Sequence, residues 1–325
     1  MPLVSILIPS YNHARFLPAC LNSVRSQTFQ DWEVVLVDDG SKDESVEIAR
    51  RYALEDPRIS VQVNEVNLGT YGTEQRALEL CSGQLIAILN SDDFWHEEKL
   101  KVQVELLRKH DEAAFAYTLG WLADEHGDAK TDWGIHEDWP TDELQELLPF
   151  LLYENRILAS GVIFRRNRLR FDPSCRYSGD WVALLRQSLL GPAACSVERL
   201  TFWRQHGKNM SLRSKGQVLE EIRVRKAILR EPDRWFLPRM DPQQIRRGLA
   251  MNALNLQALA ALCGHRPLAA YAARLAWRYS ERGRRSWKRM LAVFLPMSVV
   301  RRRLWKDEFL AVSAKEVDQQ APLAI

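Results

Sequence analysis

Several things are scarce in this sequence, and each scarcity excludes something. No unbroken apolar run approaches the roughly 20 residues that a membrane-spanning helix needs, so a soluble or peripheral protein is expected. There are only five cysteines, Cys20, Cys81, Cys175, Cys195 and Cys263, an odd number without disulfide-framework or metal-ligand spacing. That argues for a reducing, cytoplasmic setting. The first residues carry a short apolar stretch without a basic flank or cleavage signal and read as a strand, not a signal peptide. Acids are nearly missing from Arg274 to Lys306, where eleven basic residues stand against the single acid Glu281. The net charge of the whole chain is only +3, so its positive charge is concentrated there and the rest is net acidic.

What is present is an alternation of strand and helix patterns through residue 110, which predicts an α/β protein with a mostly parallel sheet flanked by helices. Three apolar runs of strand length end in polar groups. Val4 to Ile8 runs into Pro9-Ser10-Tyr11-Asn12, Trp32 to Val37 into Asp38-Asp39-Gly40-Ser41, and Leu85 to Leu89 into Asn90-Ser91-Asp92-Asp93. Ligands of open α/β sheets gather outside the carboxyl ends of such strands. Adjacent acids there repel one another and are costly to desolvate, so a divalent cation that neutralises them is one explanation for their presence. Capping of the following helix, expected over His96 to Lys109, is the other.

Together the segments "VSILIPSYN" (Val4 to Asn12), "VVLVDDGS" (Val34 to Ser41), Asn67-Leu68-Gly69 and "LNSDD" (Leu89 to Asp93) resemble the family-2 glycosyltransferases of GT-A fold, in that family's order and spacing. The resemblance covers roughly residues 2 to 210. It implies a Rossmann-like domain over 1–212; beyond it the helical pattern and basic charge themselves predict a basic helical region over 213–325, a candidate membrane-surface or oligomer contact. It also implies an inverting enzyme that moves a sugar from a nucleoside diphosphate donor, UDP above all, to a hydroxyl of a glycan or lipid-linked acceptor in cell-envelope polysaccharide synthesis. On this chain Pro9, Tyr11, Asp39, Asn67 and Asp92 are then the donor nucleotide contacts. Tyr11 can stack on a base and Asp39 can accept an imide N–H. Asp93 and His206 would hold the cofactor, a divalent Mn or Mg ion suited to carboxylate and phosphate oxygens. Asp38 is expected to cap its own turn toward Gly40 and Ser41.

Tyr177-Ser178-Gly179-Asp180-Trp181 resembles the family's short acidic motif, which makes Asp180 the catalytic base, the alternative being a cap on the helix expected over Trp181 to Leu190. Trp203 to Ser211 matches the family's "R-x-H-x-x-N-x-S" segment, which brings in His206 and offers Arg204 and Lys208 for phosphate charge. One departure lies at Gly72-Thr73-Glu74-Gln75-Arg76, where many relatives carry "A-R-N". A displacement of one position turns a side chain by about 100° around a helix, so the usual contact of that arginine is not carried over to Arg76.

Another strand is expected over Arg58 to Asn64. The stretch Gly120 to Pro140 reads as a variable, acceptor-facing region, with Trp121, Trp133 and Trp139 offered either as a sugar platform or as packing. Ile157 to Phe164 reads as a strand near the acceptor. In the C-terminal region, cations interleaved with Trp277, Trp287 and Trp305 suit an anionic membrane surface contacted through Arg274 to Lys306, at the inner face of the plasma membrane. A solvated helical face or an oligomer contact remains open there. No nucleic-acid-binding module is recognisable, and no glycine-rich phosphate loop of the kind used in nucleotidyl transfer lies between Pro9 and Arg15. The alternative to an enzyme is a non-catalytic nucleotide-sugar or glycan-binding protein on the same scaffold.

Overall fold

Strands covered on both faces need apolar side chains at every position and not at alternate ones, and the innermost strands here have that composition. The computed structural model of the chain describes residues 1–131, 139–207, 209, 214–280 and 312–325. Its first half runs β1 (Val4–Ser10), α1 (Leu17–Arg25), β2 (Trp32–Asp38), α2 (Ser45–Glu55), β3 (Ile59–Val63), α3 (Thr70–Leu80) and β4 (Leu85–Ile88). β1 and β4 are buried along their whole length. These four strands lie side by side in the order β3-β2-β1-β4, all parallel. The chain leaves β1 toward β2 on one side and reaches β4 on the other, so the crevice beyond their carboxyl ends is the switch point where ligands of such sheets bind. α1 turns Leu17, Cys20, Leu21 and Val24 onto the sheet, an i, i+3, i+4, i+7 stripe.

The second half continues with β5 (Phe94–Trp95), α4 (Lys99–Lys109), β6 (Phe115–Ala123), β7 (Ala129–Thr131), β8 (Leu144–Gln145), α5 (Leu148–Leu151), β9 (Val162–Arg165), α6 (Gly179–Ser188) and β10 (Ala193–Arg204). β9 is antiparallel to both β4 and β6, and β10 runs parallel to β6. The two residues of β5 pair with Thr201 and Phe202 of β10. This short ladder lays the segment just after Asp93 against the end of β10.

Two expectations change here. Gly120 to Ala123 belongs to β6, because Gly120 lets neighbours close in: a Cβ there would lie 2.5 Å from the Leu158 side chain and 2.7 Å from the Thr201 carbonyl. Within Ile157 to Phe164, Ala159–Gly161 forms a 3-10 turn and the strand begins only at Val162. The turn frees Ser160, which donates to Asp93 at 2.5 Å, receives the Asn90 amide at 3.0 Å and gives its carbonyl to Trp95 Nε1 at 2.6 Å. Trp139 is buried, and Trp121 is half-buried with the Arg199 guanidinium 5.1 Å from its ring, so packing accounts for both. Trp133 lies outside the described residues.

The chain falls into two compact units. One comprises Met1–Leu147, Arg156–Ala183 and Leu190–Asn209, and the other Leu148–Asn155, Leu184–Leu189 and Met210–Ile325. The second is helical, with α7 (Lys215–Arg230), α8 (Pro242–Leu262), α9 (Arg266–Tyr279) and α10 (Ala314–Asp318). Ser214 and Asp241 cap α7 and α8 by accepting amides of the first turn. Inside this unit Arg225 is buried against Glu221 at 2.7 Å and the Tyr153 carbonyl at 2.8 Å. Of the basic run, Arg274 and Arg278 lie on α9, and the stretch from Glu281 to Lys306 falls outside the described residues. No described helix is long and apolar enough to cross a membrane. All five cysteines are buried free thiols.

Candidate active site

The loops after β1 and β2 are laced together. Asn12 adopts φ +54°, a left-handed conformation that asparagine tolerates. Its amide donates to Ser41 Oγ at 2.8 Å, and its Oδ1 accepts the Lys42 amide at 2.7 Å. The His13 and Ala14 amides reach Ser45 Oγ and Asp43 Oδ2, both at 3.0 Å. Pro9 is buried at the end of β1, and Tyr11 stands 45 % exposed beside it. Asp38 turns back on Ser41, accepting its amide at 2.8 Å and its hydroxyl at 2.6 Å, which is the turn-capping role expected of it.

Asp39 is held differently. It is 4 % exposed, and its Oδ1 accepts Asn64 Nδ2 and the Leu68 amide, both at 2.7 Å, while Oδ2 accepts the Gly69 amide at 2.9 Å. Three donors on a group with about four lone-pair sites leave one acceptor position on Oδ2. Asn67 supports this arrangement from its own side chain, donating to the Asp39 carbonyl at 3.2 Å. Arg76 lies behind it, donating to Asn64 Oδ1 at 2.6 Å. The arginine that departs from the family pattern therefore braces the asparagine that braces Asp39.

At the end of β4 the two acids part company. Asp93 is buried, with Oδ2 bonded by Ser160 and Oδ1 accepting the Arg204 amide at 3.0 Å. Burial, reinforced by the charge of Asp92, pushes its carboxyl well above the ordinary range. Asp92 is shifted the opposite way: although burial acts against it, its hydrogen bond with His206, 3.1 Å from Nε2 to Oδ2, holds it low. The two neighbouring carboxyls are thus shifted in opposite directions. Among the described residues, His13, Asp92 and His206 form the group of side chains able to ligate an ion, with one ligand atom from each lying within 4.8 Å of the others. Asp93 is not in that group. His13 carries no motif of its own, and only its nearness in sequence to Tyr11 could have drawn attention to it. Its ring is shifted toward the neutral form chiefly by burial.

The "R-x-H-x-x-N" segment explains how His206 is aimed. Arg204, 4 % exposed, donates from Nε to the Asp92 carbonyl at 2.9 Å and from Nη1 to the Glu125 carbonyl at 3.0 Å, with its guanidinium about 5 Å from the centres of the Phe16 and Phe94 rings. It is committed inside the protein, so the phosphate-neutralising role offered by the sequence does not fit it; Lys208 lies outside the described residues. Asn209 donates to the Arg204 carbonyl at 2.8 Å and accepts the His206 amide at 2.5 Å. The His206 ring stacks on Phe16 at 4.6 Å.

Asp180, the second residue of α6, keeps separate company. Tyr71 Oη donates to its Oδ1 at 3.0 Å. Gly179 makes this approach feasible, since a Cβ there would stand 2.4–2.6 Å from the Tyr71 ring. One helical turn from Tyr71 on α3, Glu74 is only 1 % exposed, and among the described residues its Oε2 has no hydrogen-bond partner. Burial first, and then the charge of Asp180, push the Glu74 carboxyl well above its ordinary 4.5. An acid raised by folding contributes stability that is complete below pH 4.5 and is lost as the pH rises through the folded value. Glu74→Gln is therefore expected to gain stability over the parent between pH 4 and pH 8, measured by urea denaturation at both values. A difference that does not change with pH would contradict this.

A sheet with a parallel half and a mixed half, and polar side chains gathered where three strands end, defines an open α/β fold with its crevice at the strand ends. Structural comparison agrees. The chain overlays Staphylococcus aureus TarS 1–349, solved with UDP-GlcNAc, with a TM-score of 0.59 at 15 % identity over 85 % of this chain and 88 % of that one. A mannosyltransferase of Pyrobaculum calidifontis, solved with GDP-Man and Mn2+, gives a TM-score of 0.51 at 17 % identity over 94 % of this chain and 88 % of that one. The sequence profile of glycosyl transferase family 2 matches residues 5–164, and that segment is a domain of this family. It is 40 % identical over 111 residues to the Escherichia coli UDP-Glc:alpha-D-GlcNAc-diphosphoundecaprenol beta-1,3-glucosyltransferase WfgD, a match that takes in 34 % of this chain and 42 % of the relative. With Escherichia coli chondroitin synthase it shares 27 % over 214 residues, 66 % of this chain and 30 % of the relative. The chain thus spans less than half the length of these curated relatives.

Proposed function

We propose that the chain is an inverting glycosyltransferase that moves a sugar from a nucleoside diphosphate donor, UDP foremost, to a hydroxyl of a glycan or lipid-linked acceptor in cell-envelope polysaccharide synthesis. The observation that carries this reading is the Asp92 carboxyl with an imidazole bonded to it at the end of β4, on the same sheet edge as the braced Asp39. Asp39, with Pro9 and Tyr11, receives the nucleobase: one acceptor position remains on the carboxylate, and the exposed Tyr11 ring is free to stack. Asn67 keeps the Asp39 loop in place. Asp92 and His206 are the residues that fit a divalent cation, which when bound neutralises charge on the departing diphosphate.

Asp180 is the base. Its carboxylate is fixed by Tyr71 and takes the acceptor proton as the acceptor oxygen bonds to the anomeric carbon and the bond from that carbon to the diphosphate breaks. The basic C-terminal segment supports a lipid-linked acceptor at an anionic membrane surface in the same reading. A panel of UDP-, GDP- and dTDP-sugars, offered with and without Mn2+, tests the proposal by calorimetry and by release of nucleotide. Cation-dependent binding and slow hydrolysis of one donor is the expected result. Donor binding without turnover for any acceptor would favour a binding protein, and no binding at all would overturn the donor site.

A further inference from the structure

We propose that His13 is a third protein ligand, so that the cation site is a set of two imidazoles and one carboxylate that holds a transition-metal dication without nucleotide and discriminates against Mg2+. This rests on the reading of Asp92 and His206 as cation ligands and goes beyond it in naming the third ligand and the class of metal.

Both rings are held in position by the protein itself. His13 shares a hydrogen bond between Nδ1 and Ser91 Oγ at 2.8 Å, which leaves Nε2 as the nitrogen for an ion and makes Ser91 the partner that fixes the ring. Its backbone is tied by Ser45, and its ring meets the His206 ring edge-on at 5.8 Å. His206 is stacked on Phe16 and clamped through Asn209. Little side-chain freedom is left to be lost on binding, which favours affinity from the protein alone.

The donor set then decides between ions. Mg2+ demands hard oxygen ligands in near-ideal octahedral geometry and gives up its waters reluctantly, whereas imidazole suits the later first-row metals. Two neutral nitrogens and one carboxylate leave a dication with residual positive charge and open coordination positions. Those are the conditions under which diphosphate oxygens can join without displacing a protein ligand. A site built from one carboxylate would instead depend on the nucleotide for its affinity.

The test uses the full chain, freed of metal by chelation and without nucleotide. Co2+ is titrated by its visible d–d absorption, Mn2+ by electron paramagnetic resonance, and Mg2+ is added as competitor. One equivalent of Co2+ or Mn2+ is expected to bind, with excess Mg2+ displacing little. His13→Ala and His13→Gln should each weaken Co2+ binding by at least the roughly 10- to 100-fold that loss of an outer-shell partner costs, and Ser91→Ala by about 10-fold. Thermal melts of each variant without metal check folding. Pulsed resonance of bound Mn2+ should show nitrogen coupling from two imidazoles in the parent and from one in His13→Gln.

Unchanged Co2+ affinity in both His13 variants, coupling from a single imidazole in the parent, or no metal bound without nucleotide would each overturn the proposal. The wider reading fails separately. A chain that binds Co2+ through His13 and binds no nucleotide-sugar keeps the metal site and loses the transferase. Donor turnover that is equal with Mg2+ and Mn2+ and indifferent to His13 does the reverse.

Discussion

Asp180→Asn is expected to slow sugar transfer by roughly 10²- to 10⁴-fold, the contribution typical of a positioned general base. The substitution changes chemistry and little else. Asparagine has the same shape, its Oδ1 can still accept from Tyr71 Oη, and the second position of α6 tolerates it. Donor affinity should therefore be unchanged, because Asp39 and the Asp92 group lie on other elements. The measurements are single-turnover transfer and calorimetric binding of the donor on the same sample. Full activity in Asp180→Asn would leave the residue as a helix-end carboxylate only. Tyr71→Phe, which removes the hydroxyl that fixes the carboxylate, should give a smaller loss of the same kind, with turnover falling and donor affinity held.

The second large effect separates the two neighbouring acids. Asp92→Asn is expected to lower cation affinity by at least about 10²-fold, because it removes the carboxyl to which His206 is bonded. Asp93→Asn should leave cation affinity within a few-fold and appear instead as lost stability of roughly 1–3 kcal/mol, since Asp93 is buried on Ser160 and the Arg204 amide. Metal titration and urea denaturation of both variants give four numbers that must fall in this pattern. The opposite pattern would return the cation to Asp93, where the family resemblance puts it.

The parallel half of the sheet was legible because apolar runs and helical stripes are local signals. Val4 to Ile8, Val34 to Val37 and Leu85 to Ile88 have no polar face to hide and could hardly be anything but buried strands. The strand-end acids were legible for the same reason. What each acid does was not, because that depends on which neighbour arrives from far along the chain. Asp92 meets His206, 114 residues away, and Asp93 meets Ser160, 67 residues away. His13 is the clearest case: an imidazole after Tyr11-Asn12 signals nothing until β5 and β10 pair and draw His206 alongside. Arg204 looked like a phosphate ligand because an arginine in a polar motif usually faces water; the phenyl rings and carbonyls that absorb it come from three other segments.

The difference in sequence range between the two halves of the site sets an order in time. Every contact that braces Asp39 comes from residues no later than Arg76, so that pocket can form as soon as the first strands have left the ribosome. The ion-ligating group waits for His206. At synthesis rates of about 5–20 residues per second, the delay between Asp92 and His206 is on the order of ten seconds. During that interval a nascent chain can hold Asp39 braced while Asp92 still lacks its imidazole partner, and the two halves of the proposed site come together only when β10 closes the sheet.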